Sequence, residues 1–413
     1  MDDTTVPIAD AMPVAADDPA SRPVVTLLAG GHRRVEAGHP WVYSNEVQMD
    51  AAAKALAPGS LATLKRADGR ALGVAMFNPH TLLAGRVLDR DTAQPIGQRF
   101  LRRRLERALR LRERLYREPY YRLVHAEADG LPGLVVDRFG DVLVVQSNTA
   151  GMERLEEPLL QALTALLSPA VVVLRNDSPA RALEGLPQEV RVAIGQVDGP
   201  VTVEENGAVF AADALEGQKT GWFFDQRDNR AFVGGLARGA RVIDLYSYSG
   251  GFAIAAARGG AASVTGIDRS EGALALATRT AARNSVAEIC EFRRAEVFAE
   301  AAALAAGGER FDVVIADPPA FARSRRDVPA ALRGYRKLAR LVAGLAAPGG
   351  VVFLASCSHN VAAADFAEAA RRGLADAGRV GRLLRDAGAG PDHPVHMALP
   401  ETAYLKSLTL ALD

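Results

Sequence analysis

The chain is 413 residues long, with 49% hydrophobic and 24% charged residues, a length that gives two or three domains and a balance that gives a well-folded chain. Every apolar run stops short of the roughly 18 residues that cross a bilayer, and no signal-peptide pattern opens the sequence, so no membrane partner is expected. Cys290 and Cys357 are the only cysteines, too few for a disulfide framework or a cysteine-rich zinc site and in keeping with a reducing cytoplasm.

The net charge of zero hides an uneven distribution. Residues 1–21 hold five aspartates and neither Lys nor Arg, among many Ala and Pro, so residues 1–22 read as a disordered acidic tail. The rest carries 49 basic against 44 acidic groups. Short apolar segments and turns such as Asp68-Gly69 then predict a small, mostly β domain over residues 23–95. Within it, "GHRRVEAGHPWVYSNEV" brings Arg33, Arg34 and Trp41 together. This is either a surface turn with Trp41 as a core anchor, or an RNA grip with cations for phosphate and an aromatic for stacking.

Leu101, Leu105, Leu109, Leu111 and Leu115 give helical spacing over Gln98–Arg117, with arginines between them. Two β-rich runs around Gly140-Asp141, a helix near Met152–Leu167 and the strand "AVVVLR" complete a central α/β domain over residues 96–200. Ten arginines lie between Arg99 and Arg122, and six more, with Lys337, between Arg323 and Arg340. Such runs are most often solvated helix faces; two of them in one chain also suit a polyanionic partner.

From residue 201 a hairpin marked by Asn206-Gly207 leads into alternating strands and helices up to 413. The pattern is that of a doubly wound, Rossmann-like parallel sheet, which binds its ligand at the carboxyl ends of the strands. Ser249-Gly250-Gly251-Phe252 lacks the G-x-G-x-x-G spacing that cradles a pyrophosphate. Asp244 and Asp268 end the first two strands on either side of this glycine turn. Carboxylates there suit S-adenosylmethionine, whose methionine end carries an ammonium and whose ribose offers a diol. A methyltransferase domain over 201–413 is therefore expected.

"KTGWFFDQRDNR", "VIDLYSYSGGFA", "GIDRSEGAL", "ADPPAF" and "SCSHN" resemble motifs of the bacterial 23S ribosomal RNA large-subunit methyltransferase I family, which makes 5-methylcytosine. Upstream, "HPWVYSNEV" resembles that family's N-terminal PUA domain and "AEADGLPGLVVDRFGD" its central domain; only about the first twenty residues fall outside the likeness. The resemblance implies S-adenosylmethionine as cofactor and large-subunit ribosomal RNA as partner. It also implies that Phe224, Asp225, Gln226 and Arg227 line the donor pocket, with Glu296 near the adenine. Asp244, Tyr246, Ser247, Gly250, Asp268, Arg269 and Asp317 complete the expected set.

Cytosine C5 is a poor nucleophile, and a thiolate adding to C6 makes it enamine-like. Cys290, in the apolar "AEICEF", reads as a core cysteine. Cys357 follows "VVFLA" where a strand reaches the ligand face, and reads as the nucleophile, the alternative being a buried strand cysteine. Asp317 opens the rigid Asp317-Pro318-Pro319 turn and could meet N3 and N4 of the base, or serve the turn alone. Phe321 reads as a stacking platform for the base or as a core or lid phenylalanine, and Lys219 and Arg323 as phosphate contacts or solvated surface. His359, His393 and His396 lack metal-ligand spacing, so no metal is expected. The alternatives are a guanine N2 or N7 methyltransferase of the same fold, which needs no cysteine, and an inactive RNA-binding or ribosome-assembly protein. The oligomeric state is not legible; a homodimer is compatible with the sequence.

Overall fold

The computed structural model describes residues 17–413, so most of the expected acidic tail lies outside the described residues. Residues 17–22 do not behave as tail. Arg22 is buried and pairs with Asp17, while Asp17 Oδ2 accepts the Ile96 N–H at 2.7 Å. A carboxylate with two such partners is held in the fold, and this corrects the expected tail boundary at 22.

The first domain is a five-stranded sheet in the order Val24–Thr26, Ser60–Lys65, Ala71–Phe77, Gly85–Asp89, Trp41–Val42. Asp68-Gly69 turns the chain there, with Gly69 at φ +85°. A second five-stranded sheet runs Glu189–Ile194, Val171–Asn176, Val142–Ser147, Leu134–Phe139, Tyr120–His125, with the helices Gln98–Leu115 and Glu156–Leu167 packed on it. The strand Glu189–Ile194 was not read from the sequence. Val190, Val192 and Ile194 alternate there as a strand requires, but the strand lies at a sheet edge with most of its side chains exposed.

Not all arginines of the basic run are solvated. Arg112 is fully buried and grips both oxygens of Asp129 at 2.7 Å, while it also donates to the carbonyls of Arg122 and Asp392, each at 2.9 Å. Arg122 pairs with Asp137 in the same way. These two guanidinium groups survive burial because each faces a carboxylate that matches its charge and takes a two-point grip. Asp392 lies far along the chain, so this network ties the central sheet to the C-terminal domain.

The hairpin Val201–Glu205 and Ala208–Ala212 turns through Asn206 and Gly207, both at positive φ, the tight turn that Asn-Gly encodes. Val203 and Phe210 pack between Phe139 and Val173 on one side and Trp222, Phe224 and Ile254 on the other. The hairpin thus wedges the C-terminal domain against the central sheet.

The C-terminal sheet has seven strands: β1 Arg241–Leu245, β2 Ser263–Asp268, β3 Cys290–Arg294, β4 Phe311–Ala316, β5 Ala346–Ser356, β6 Gly381–Ala387 and β7 Lys406–Leu412. Their order is β3-β2-β1-β4-β5-β7-β6. Ile243, Leu245, Val314 and Val352 point to one covered face, and Val242, Val313, Ile315 and Phe353 to the other. This period-2 sharing of apolar residues between two helix layers is what makes the strands read as continuous hydrophobic runs. Five strands are parallel as expected; β7 runs antiparallel to both β5 and β6. A loop and not a helix returns the chain to β7, so a parallel crossover is not formed. Among the described residues no helix is long and apolar enough to cross a membrane.

Candidate active site

A cavity of about 360 Å³ opens at the carboxyl ends of β1, β2, β4 and β5, within the size range of small-molecule sites. Its lining combines Lys219, Phe223, Asp225 and Gln226 from the segment before β1 with Tyr246, Ser247, Asp268, Arg269 and Glu296. Asp317, Pro318 and Cys357 close the far side.

The glycine turn after β1 shapes the near wall. Gly250 adopts φ +82°, and a Cβ there would come within 2.9 Å of the Ala277 Cβ, so a side chain meets both strain and a clash. Tyr246 and Tyr248 also take positive φ, a conformation that costs a bulky residue and marks functional turns. Asp268 ends β2 and accepts the N–H groups of Tyr248 at 3.0 Å and Ser270 at 2.8 Å. Its carboxylate fastens the turn and still faces the cavity.

Asp244 lies differently from expectation. It sits one residue inside β1, paired in the ladder with Gly266 and Ile315, and is almost fully buried. Its Oδ2 accepts the Ala253 N–H at 3.0 Å, at the start of the helix Gly251–Arg258, so it braces the turn from beneath and does not line the cavity. Burial pushes its carboxyl up to about 7, with Asp317 and Asp268 adding to the rise against the opposing amide.

The segment before β1 divides sharply. Asp225 and Gln226 face the cavity. Phe224 packs 5.2 Å from Phe139 in the core, and the Arg227 guanidinium turns away to lie 4.1 Å over Tyr116 and donate to the Tyr120 carbonyl. Both fall outside the lining, a correction to the expected donor set; successive residues of a helical turn cannot all face one side. Gly250 is likewise set back, and Gly251 lines the wall instead. Glu296 reaches the rim but turns its oxygens onto the Phe298 and Ala299 amides, at 3.1 and 2.8 Å, as the N-cap of the helix Val297–Ala306.

On the far side, Gln226 Nε2 donates to Asp317 Oδ2 at 2.9 Å, and Asn229 Nδ2 donates to Gln226 Oε1 at 2.6 Å. Burial and the nearby Asp225 charge push Asp317 up to about 7 despite that bond. Asp225 goes the other way. Burial would raise it, but Lys219, His393 and the Tyr404 hydroxyl, 2.5 Å from Oδ2, together hold it well below the usual range. Cys357 Sγ lies 4.0 Å from the Pro318 carbonyl, and burial pushes its thiol up. Cys290 opens the edge strand β3, half-buried beside Val286, Ile289 and Phe292, and burial alone pushes it up to about 11.

The remaining expected contacts are scattered. Phe321 stacks on Tyr335 at 4.6 Å, outside the lining. Arg323 is exposed and outside the lining. Arg33 is exposed, but Arg34 is bound to both oxygens of Glu46. Trp41 is half-buried, and its Nε1 donates to Glu127 of the central domain at 2.8 Å, so the ring links two domains and packs in neither core. Tyr404, Asn229 and Trp222 were missed by sequence reasoning. Only the two hydrophobic rings carry a composition signal, and nothing local marks them as pocket residues.

Three lining groups are left without protein partners: Asp225 Oδ1, Ser247 Oγ and Ser249 Oγ are buried and unbonded among the described residues. Such atoms call for a polar ligand. This acidic lining fits S-adenosylmethionine, whose ribose diol and ammonium are groups that Asp268 and Asp225 could hold.

A family model for S-adenosylmethionine-dependent methyltransferases matches residues 175–392, and a PUA-like domain model matches residues 25–90. Ribosomal RNA large subunit methyltransferase I of Shewanella denitrificans is 34% identical, over 93% of this chain and 98% of that protein. Its counterpart in Aeromonas salmonicida is 35% identical, over 94% and 98%. A ribosomal RNA large subunit methyltransferase of Deinococcus radiodurans is 36% identical, over 97% and 99%. The crystal structure of SMU.776 complexed with SAH is alike in fold, with a TM-score of 0.80 at 19% identity over 94% of this chain and 100% of that one.

Proposed function

The chain belongs to the S-adenosylmethionine-dependent ribosomal RNA large subunit methyltransferase I family, and on that premise we propose that it methylates C5 of a cytosine in large-subunit ribosomal RNA through a covalent bond between Cys357 and C6. The observation that carries this reading is the meeting of Cys357 and Asp317 in one cavity with the donor-site carboxylates.

The donor supplies an electrophilic methyl group; the chain's residues prepare the acceptor. Asp268 and Asp225 hold the donor's polar groups. Asp317, with a carboxyl near 7, is half-protonated at neutral pH and can hand its proton to N3 of the base. That protonation draws electrons from the ring as the Cys357 thiolate adds to C6. C5 then takes the methyl group. Water accepts the C5 proton as its C–H electrons re-form the C5–C6 double bond and the C–S bond breaks to release the thiolate, and the Asp317 carboxylate takes back the N3 proton. The target base must leave any helix to reach a cavity this deep, and the exposed arginines of the helix Gln98–Leu115 and of residues 323–340 suit the RNA around it.

RNA with 5-fluorocytosine at the target tests the reading. Fluorine cannot leave as a cation, so the adduct persists. A stable complex that forms with wild type and S-adenosylmethionine, and is absent with Cys357→Ala, supports it. Unchanged methyl transfer by Cys357→Ala would overturn it in favour of a guanine-directed enzyme. No donor binding by calorimetry would point instead to an RNA-binding assembly protein.

A further inference from the structure

Cys357 must lose a proton before its sulfur can attack, and its surroundings oppose this. Burial disfavours the thiolate, and two carboxylates lie nearby. Six ionisable groups face the thiol from the elements around it: Asp225, Asp317, Tyr335, Tyr404, Lys219 and Lys406. The carboxylates are muted, since Tyr404 donates to Asp225 and Gln226 to Asp317. Tyr335 is spent on the hydroxyls of Ser356 and Ser358, at 2.8 and 2.9 Å. Of the two cations, Lys406 is committed to the carbonyls of Ser358 and Val361, at 2.7 and 2.8 Å. Lys219 makes no hydrogen bond of that kind.

Lys219 is held in place with unusual care for a surface lysine. It sits on the loop 213–221 at φ +54°, a conformation that costs a residue with a side chain. The loop is fastened from two domains. Arg175 of the central sheet donates to the carbonyls of Ala214 and Gly217, at 3.1 and 2.8 Å, and the Tyr248 hydroxyl accepts the Gln218 N–H at 2.9 Å. Gly217 and Gly221 fold so tightly on the Asp213 carbonyl that a Cβ would come within 2.3 and 2.5 Å of it. The Lys219 ammonium is left 4.6 Å over the Phe223 ring, 5.6 Å over the Tyr404 ring and 3.8 Å from Asp225 Oδ2. Two aromatic faces and a carboxylate hold the ammonium in the cavity that Cys357 also lines. A lysine that gripped phosphate would need neither the loop strain nor the ring cage.

We propose that Lys219 is a positioning residue whose ammonium stabilises the Cys357 thiolate. This rests on the reading of Cys357 as the nucleophile. The S–H bond breaks, its proton passes to water at the cavity mouth, and the sulfur keeps the electron pair that later forms the bond to C6. Lys219 stays protonated throughout.

The test is the alkylation rate of Cys357 by iodoacetamide from pH 6 to 10 in the full chain without RNA, followed by mass spectrometry of the Cys357 peptide. The thiolate displaces iodide in this reaction, so the profile reads thiol ionisation directly. In Lys219→Met the midpoint should rise by about one pH unit, with alkylation near pH 7 about tenfold slower. Lys219→Arg should return the profile toward wild type, which separates loss of charge from misfolding. A Lys219→Met profile that overlays wild type would overturn the proposal and leave Lys219 as a phosphate contact, read as weaker RNA binding. Retained methyl transfer by Cys357→Ala would strike the nucleophile reading while leaving the alkylation shift intact, so the two failures are distinguishable.

Discussion

Replacing Asp244 by Asn should make the protein more stable at pH 8 and change little at pH 4. The side chain is almost wholly buried, and its carboxyl is pushed from the ordinary 3.8 up to about 7, mainly by burial. In the unfolded chain the group ionises near pH 4; in the folded chain it keeps its proton to near 7. Between those values the unfolded state sheds the proton and the folded state does not, so stability falls as pH rises through the window. Each pH unit there is worth about 1.4 kcal/mol, giving roughly 4 kcal/mol across it. Asn keeps the acceptor for the Ala253 N–H and carries no charge to bury. Urea unfolding followed by tryptophan fluorescence at half-unit steps from pH 5 to 8 reads the effect. The gap between variant and wild type should widen by about 3 kcal/mol from pH 5 to 7 and then level off. A gap that stays flat over the whole range would refute the reasoning, because Asp244 would then be ionising as it does in water.

Other outcomes follow from the same contacts. Arg112→Met strands the buried Asp129 carboxylate and should cost about 3–5 kcal/mol, visible as a large drop in Tm; an unchanged Tm would mean the network is dispensable. Asp268→Ala removes the acceptor of the Tyr248 and Ser270 amides as well as a cavity carboxylate, and should weaken S-adenosylmethionine binding in calorimetry by about a hundredfold, at ~1.5–3 kcal/mol for each charge-assisted bond. Arg325→Ala with Arg326→Ala should lower the slope of log affinity for RNA against log salt by about one to two; an unaltered slope would remove that cluster from the RNA surface.

Much of this architecture was legible in the sequence because it is written in local patterns. Short apolar runs between helical stretches marked the strands of the C-terminal sheet, and Asn206-Gly207 marked the hairpin, since both depend on neighbouring residues alone. The cavity wall was legible where a motif marks a strand end, as at Asp268, Asp317 and Cys357. Asp244 shows the limit. It has the same strand-end signature as Asp268, yet one residue of register turns it from the cavity to a helix N-terminus. Arg227 and Phe224 went astray for a related reason: the motif is a helical turn, and which side faces the ligand is set by Tyr116 and Phe139, more than 80 residues away. The buried arginines were hidden because a guanidinium becomes structural only when distant acceptors such as the Asp392 carbonyl arrive.

The proposed product of this chain is 5-methylcytosine in large-subunit ribosomal RNA, formed by way of Cys357. Nucleoside mass spectrometry of that RNA from cells lacking the protein, and from the same cells given back wild type or Cys357→Ala, tests it most directly. The account predicts loss of one 5-methylcytidine that wild type restores and Cys357→Ala does not. Unchanged 5-methylcytidine, or a missing methylguanosine in its place, would contradict it.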